Sequence, residues 1–236
     1  MKRETISSKE NPKIKFAAEQ KEAKGEYFLS EGFHLAEMAV EANCAVSIFS
    51  LKPYPSPCDN YLVNEAIIKK LASSKNPEGI ITLSKKLMAK PFSSKRILYL
   101  DEVSDPGNLG TLLRTALAFG YHDVILRKGA SPFKAKAVAA SQGAIYSLNV
   151  IEAEDLSLLE ELKKRGYRLI GTDLKSSIPL RSVQKAEKIV LILGNEARGV
   201  SKEVLEKADQ NIRIEMDDID SLNVAIAGAI AMYELS

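Results

Sequence analysis

Three stretches gather side chains that a protein interior has no use for. The first places Asn195, Glu196 and Arg198 in the loop Gly194-Asn195-Glu196-Ala197-Arg198-Gly199, directly after the apolar run Ile189-Val190-Leu191-Ile192-Leu193. The second places Ser221 and Asn223 in Ser221-Leu222-Asn223-Val224, after a second strand over 210–214 and an acidic loop over 215–220. The third runs over 101–120, where a strand at 97–100 leads through Asp105-Pro106-Gly107 into a helix carrying Asn108 and Arg114. Hydrogen-bonding and charged groups at the ends of buried strands are what a ligand site at the carboxyl edge of a parallel sheet looks like. Gly194 and Gly199 allow positive φ and a close approach of backbone to a ligand. Each stretch also has an ordinary reading. The loop could carry caps and a surface ion pair, Ser221 could cap the terminal helix, and an Arg among Leu112, Leu113, Ala116 and Leu117 is either snorkelling or aimed at a site.

The elements that must position these residues follow a βα rhythm from residue 97 onward. Strands are expected at 97–100, 123–126, 146–150, 168–172, 188–193 and 210–214, and helices at 108–119, 133–141, 156–164, 201–207 and 224–235. Alternation of this kind predicts an α/β fold with a parallel sheet covered by helices on both faces. The last helix, Val224-Ala225-Ile226-Ala227-Gly228-Ala229-Ile230-Ala231-Met232-Tyr233, is apolar almost all round and calls for burial on more than one side.

The front of the chain reads as a smaller α/β unit over 1–90, entered by a basic helical arm over 1–25 that carries Lys9, Lys13, Lys15, Lys21 and Lys24. Residues 84–96, polar, basic and broken by Pro91, read as a linker to a second domain over 97–236. Residues 1–96 hold 16 Lys and Arg against 11 Asp and Glu, whereas 97–236 hold 17 against 20. The front is therefore the better candidate for touching phosphate, although lysines more often form a solvated face.

Composition excludes several classes. At 236 residues with 45% hydrophobic and 27% charged residues, the chain matches an ordinary globular protein of one or two domains. No apolar stretch approaches the roughly 20 residues that span a bilayer, and no apolar signal core follows Met1-Lys2-Arg3-Glu4-Thr5, so no signal sequence is expected. Cys44, Cys58, His34 and His122 make no metal-ligand pattern, so reduced thiols in the cytoplasm and no metal are expected. Neither glycine-rich phosphate-binding pattern is present, which argues against the common dinucleotide and nucleoside triphosphate sites.

Together, Asn108-Leu109-Gly110-Thr111-Leu112-Leu113-Arg114-Thr115-Ala116, Leu193-Gly194-Asn195-Glu196-Ala197-Arg198-Gly199 and Ser221-Leu222-Asn223-Val224 resemble, in order and spacing, the SpoU (TrmH-like) family of RNA ribose 2′-O-methyltransferases in the SPOUT superfamily. The resemblance spans 97–235 well. Over the first ninety-odd residues it is loose, resting on Leu29-Ser30-Glu31-Gly32 and the helix after it. It implies a SPOUT-type parallel sheet with a C-terminal trefoil knot, against the usual rule that chains do not thread, preceded by a small RNA-binding domain. It implies transfer of a methyl group from S-adenosyl-L-methionine to a ribose 2′-hydroxyl, with Arg114 acting on the hydroxyl, Asn108 orienting Arg114 or the ribose, Glu196 holding an Arg or a hydroxyl, and Ser221 and Asn223 positioning Arg114 and an RNA phosphate. The donor would be lined by Thr172, Leu193, Gly194, Asn195, Gly199, Ile214, Met216, Leu222 and Asn223. The resemblance also implies a homodimer through the knotted domain. A separate small domain favours rRNA as substrate, with tRNA the alternative. One departure stands out. The family often has Ile-Pro-Met and then Gly where this chain has Ile214-Glu215-Met216-Asp217-Asp218. That acidic run motivates a further alternative, an RNA-binding protein that keeps the fold without turnover.

Overall fold

The computed structural model describes residues 3–175, 177–184, 186–219 and 221–236, and its chain divides into two compact units. The first comprises Met1–Met88 and Ser131–Ser147, and the second Ala89–Ala130 and Leu148–Ser236.

In the first unit, β1 (Arg3–Ile6), α1 (Pro12–Glu19), β2 (Tyr27–Glu31), α2 (Phe33–Glu41), β3 (Ala45–Ser50), β4 (Asp59–Val63), α3 (Glu65–Leu71) and β5 (Ile80–Lys85) build a five-stranded sheet in the order β1-β4-β3-β5-β2. β1 and β3 run parallel to β4, while β5 is antiparallel to β2 and β3. The arm expected to be helical over 1–25 thus opens with an edge strand. Its residues alternate too weakly to announce one, since only Ile6 of the four is buried. Asn11 caps α1 by accepting from the Lys13 N–H, and Pro12 stands in the first turn, where its missing N–H costs nothing. Most of the arm's lysines are already engaged. Lys13 pairs with Glu4 and Lys15 with Glu10, and the Lys21 ammonium donates to the carbonyls of Lys70 and Ala72.

The second unit opens with β6 (Arg96–Asp101), α4 (Pro106–Ala118) and β7 (Asp123–Arg127). The chain then passes through α5 (Ala135–Ser141), which belongs to the first unit. It continues with β8 (Asn149–Ala153), α6 (Ser157–Lys164), β9 (Arg168–Thr172), β10 (Ile178–Pro179), β11 (Ile189–Leu193), α7 (Lys202–Leu205), β12 (Gln210–Arg213) and α8 (Val224–Glu234). All seven strands pair in parallel, in the order β10-β12-β9-β11-β6-β7-β8. β6 and β11 sit near the centre as neighbours, and every residue of β11 is buried. Alternate side chains serve opposite faces. Ile97, Tyr99, Val190 and Ile192 join Leu159 and Leu162 of α6 in one cluster. On the other face α4 and α8 lie against each other, and Gly228 of α8 leaves room for Leu112 and Leu193, whose methyls would lie 2.5 and 2.6 Å from an added Cβ.

Two further expectations change. Tyr146 does not start a strand at 146–150; it ends a 3₁₀ turn, Ala144–Tyr146, after two left-handed residues, Gln142 and Gly143, and β8 starts at Asn149. Tyr146 is a natural strand residue by composition, but its ring packs on Phe28 of β2, at 5.7 Å between centroids. The stretch 84–96 is not wholly a linker either. Ser84 and Lys85 belong to β5, and the N–H groups of Ser93 and Ser94 donate to the Asp123 carboxylate.

In the first unit the Tyr146 hydroxyl donates to Ser30 Oγ at 2.9 Å and lies 3.4 Å from Ser84 Oγ, with both serines buried. Tyr146→Phe strands these hydroxyls, and we expect a loss of about 1–3 kcal/mol in urea unfolding. An unchanged midpoint would show that the three hydroxyls contribute nothing net.

Candidate methyl-donor and ribose site

Because β6 and β11 are parallel neighbours, in register at Leu100 and Leu193, the loops that follow them leave the same sheet edge side by side. The loop after β11 folds back on itself. Asn195 and Gly199 exchange backbone hydrogen bonds of 2.9 Å, and Asn195 Oδ1 accepts from the N–H groups of Ala197 and Arg198. Gly199 has φ +70, as a loop glycine can. Gly194 does not take positive φ; its hydrogen is required because a Cβ would stand 2.1 Å from the backbone of Gly199 and Val200. The close approach expected toward a ligand is made to the loop's own backbone.

The loop after β6 grips this turn. Asn195 Nδ2 donates to the Glu102 carbonyl at 2.9 Å, and the Arg198 guanidinium pairs with the Glu102 carboxylate at 2.6 Å. Glu196 is the centre of the grip. Its carboxylate accepts from Ser104 N–H, Ser104 Oγ, Asp105 N–H and Asn108 Nδ2, at 2.8–3.1 Å. Partial burial pushes the Glu196 pKa up, but the donors from Asn108, Asp105 and Ser104 outweigh it and hold the carboxyl at about 2. Among the described residues Glu196 holds no arginine; it is anchored at the entry of α4 by the N–H groups of Ser104 and Asp105 and by the Asn108 amide, where the helix dipole favours an anion.

Asn108 is not the cap of α4. Asp105 is, accepting from the Asn108 N–H at 2.9 Å, with Pro106 following at the first helical position. The Asp-Pro pair is a readable start signal. Ser221 likewise does not cap the terminal helix. Asn223 does, accepting through Oδ1 from the Ala225 and Ile226 N–H groups, and its Nδ2 donates to Asn108 Oδ1 at 3.0 Å. A relay Glu196–Asn108–Asn223 thus ties the three stretches together. Glu102 and Ser104 complete the grip, although no motif singles them out as site residues. Their place in the loop straight after a buried strand is the one signal that could have found them.

Beside the relay lies a cavity of about 460 Å³, within the roughly 300–1,000 Å³ of small-molecule sites. Thr172, Leu193, Gly194, Asn195, Gly199, Ile214, Met216 and Leu222 line it, as do Glu196 and Ser221; Asn223 does not. Thr172 Oγ1 is spent on the Ile192 carbonyl, at 3.0 Å. Ile214 and Met216 reach the wall although the segment between β12 and α8 lacks the Pro and Gly of the family pattern; Asp220, in the acidic loop, lies outside the described residues. Apolar walls from Leu193, Ile212, Ile214 and Leu222 beside the polar Asn195 and Ser221 fit an adenosyl group. Arg114 stands apart. It is exposed on α4, does not line the cavity, and among the described residues bonds to neither Glu196, Ser221 nor Asn223.

A parallel α/β sheet with this loop cluster is the architecture of the SPOUT RNA methyltransferases. The model of the SpoU rRNA methylase family matches residues 95–233. The chain is 32% identical over 98% of both chains to the 23S rRNA (guanosine(2553)-2′-O)-methyltransferase RlmP of Bacillus subtilis. The rRNA methyltransferase of Sinorhizobium meliloti superposes with a TM-score of 0.89 at 25% identity, covering 100% of this chain and 98% of that one. Its AdoMet-bound form gives 0.88 at 26%, covering 99% and 97%. The chain belongs to the SpoU rRNA methylase family. It is an RNA methyltransferase, and S-adenosyl-L-methionine is its methyl donor.

The sign of the Glu196 shift sets a pH test. A lowered pKa contributes stability that is present above about 4.5 and fades as pH falls toward about 2. Glu196→Gln should be less stable than the parent at about pH 7, with the gap closing at about pH 3. Urea midpoints at both values measure it, and a gap that widens in acid would contradict the anchoring.

Proposed function

We propose that the chain methylates a ribose 2′-hydroxyl of ribosomal RNA, with the donor in the cavity walled by residues 194–200 and the ribose presented to Arg114. The observation that carries this reading is the relay itself. Glu196 of the cavity wall fixes the first turn of α4 through Asn108, and the same helix carries Arg114 with its charge uncommitted among the described residues. The bound donor supplies an electrophilic methyl group on sulfur. An arginine is too basic to give up a proton readily, so Arg114 acts electrostatically, favouring the ribose oxyanion as the hydroxyl proton leaves to solvent. Asn108 and Asn223 orient the helix ends, and Ser221, free of capping, faces the donor or the RNA. The choice of rRNA follows the relative matched over its whole length, named for 23S rRNA.

The knot, the dimer and the cellular place belong to the same proposal. β12 lies beyond β9, yet the chain then returns to set α8 against α4 and β11, a course compatible with threading. Ile226, Ile230 and Tyr233 of α8 share a face at i, i+4 and i+7 and are 52%, 40% and 68% exposed. A second copy covering this stripe explains why so apolar a helix is left open. In the first unit Lys9 and Lys24 keep side chains without partners among the described residues and are offered to RNA phosphate. Among the described residues no helix is long and apolar enough to cross a membrane. With ribosomal RNA as substrate, a cytoplasmic location is part of this reading.

Arg114→Ala should abolish methyl transfer to rRNA while calorimetry with S-adenosyl-L-methionine stays within about twofold of the parent; retained turnover would remove Arg114 from the mechanism. Ile230→Glu should yield a monomer by light scattering at micromolar concentration. A dimer of that variant would place the interface elsewhere.

A further inference from the structure

All seven residues 194–200 line the cavity, so the shape of this one loop decides the shape of the site. Its return is tied to one buried carboxylate outside the lining, and its departure lies beside that residue. β11 ends at Leu193 in register with Leu100, which sets the start of the loop beside Asp101. The loop ends at Ser201, whose N–H donates to Asp101 Oδ2 at 2.8 Å. Asp101 Oδ1 receives the guanidinium of Arg127, and Arg127 is its register partner across the β6–β7 ladder. Both are buried, at 0% and 3% exposure. The same guanidinium reaches Ser201 Oγ at 3.4 Å and pairs with Glu203 at the start of α7.

A buried ion pair of this kind contributes little net stability compared with apolar residues of similar volume. It does specify geometry, because a carboxylate holding one N–H and one guanidinium fixes both directions at once. We infer that Arg127 and Asp101 are positioning residues for the methyl donor: they lock the exit of the loop 194–200 and so hold the cavity wall in its binding shape, without touching donor or RNA. This rests on the cavity being the donor site, as proposed above.

The consequence is a selective defect. Displacing a positioned group by about 1 Å can cost up to about a hundredfold, and here the displaced group is the exit side of the donor wall, while Glu196 keeps its own four donors from 104–108 and with them the helix that carries Arg114. Asp101→Asn turns one acceptor into a donor facing Ser201 N–H or Arg127, Arg127→Lys keeps the charge with a poorer fit, and Glu203→Gln loosens Arg127 from the half-exposed side. In the full-length protein, with folding checked by circular dichroism, we expect the S-adenosyl-L-methionine Kd and KM to rise about tenfold or more in Asp101→Asn, and about threefold in Arg127→Lys and Glu203→Gln. RNA KM should stay within about twofold throughout. A merely structural role would lower the active fraction, and with it kcat, at unchanged donor KM; that result overturns the inference. If Asp101→Asn does not fold, the two milder variants decide, and an unchanged donor KM in both overturns it. A parent protein that binds no donor would instead sink the assignment of the cavity.

Discussion

The carboxylate of Glu196, held by four donors from the segment 104–108, is the contact on which the geometry of the second unit's site depends. It is possible only because two parallel strands, β6 and β11, are neighbours and release their loops at one edge. Ser104 and Asp105, at the entry of the helix that follows β6, present backbone N–H groups there, Asn108 of its first turn adds an amide, and the loop that follows β11 delivers an anion to them. With the anion in place, Asn108 has its amide nitrogen committed, and its oxygen is left to receive Asn223. Three segments far apart in sequence become one hydrogen-bonded patch.

Much of this was legible in the chain. Continuous apolar runs such as Ile189-Val190-Leu191-Ile192-Leu193 announce buried parallel strands, and β9 falls where the βα rhythm puts it. The residue types of the hydrogen-bonded cluster were also readable, since Asn195, Glu196 and Asn223 have no reason to sit beside buried strands unless they make polar contacts. What could not be read was partnership. Nothing local says that Glu196 prefers a helix start to Arg114, because that choice depends on which strands are neighbours. Capping shows the same limit. Ser221, Asn223, Asp105 and Asn108 are all acceptable cap residues, and only the path of the backbone decides that Asn223 and Asp105 take the task.

Charge was the least informative signal. The excess of lysine at the front of the chain predicts a phosphate-facing arm, yet Lys13, Lys15 and Lys21 are bound to Glu4, Glu10 and the carbonyls at the C-terminal end of α3. A count of basic residues measures potential partners, not free ones, and exposed pairs such as Lys15–Glu10 are weak enough to be exchanged for a phosphate.

The excursion of residues 131–147 into the first unit has a genetic corollary. Phe28 is roofed by Phe133 and Tyr146, rings encoded far downstream of it. Swapping only the leading segment, Met1–Met88, between homologous genes would therefore pair a sheet with a foreign roof. Chimeras in this family have to exchange two segments together or tolerate a mismatched core.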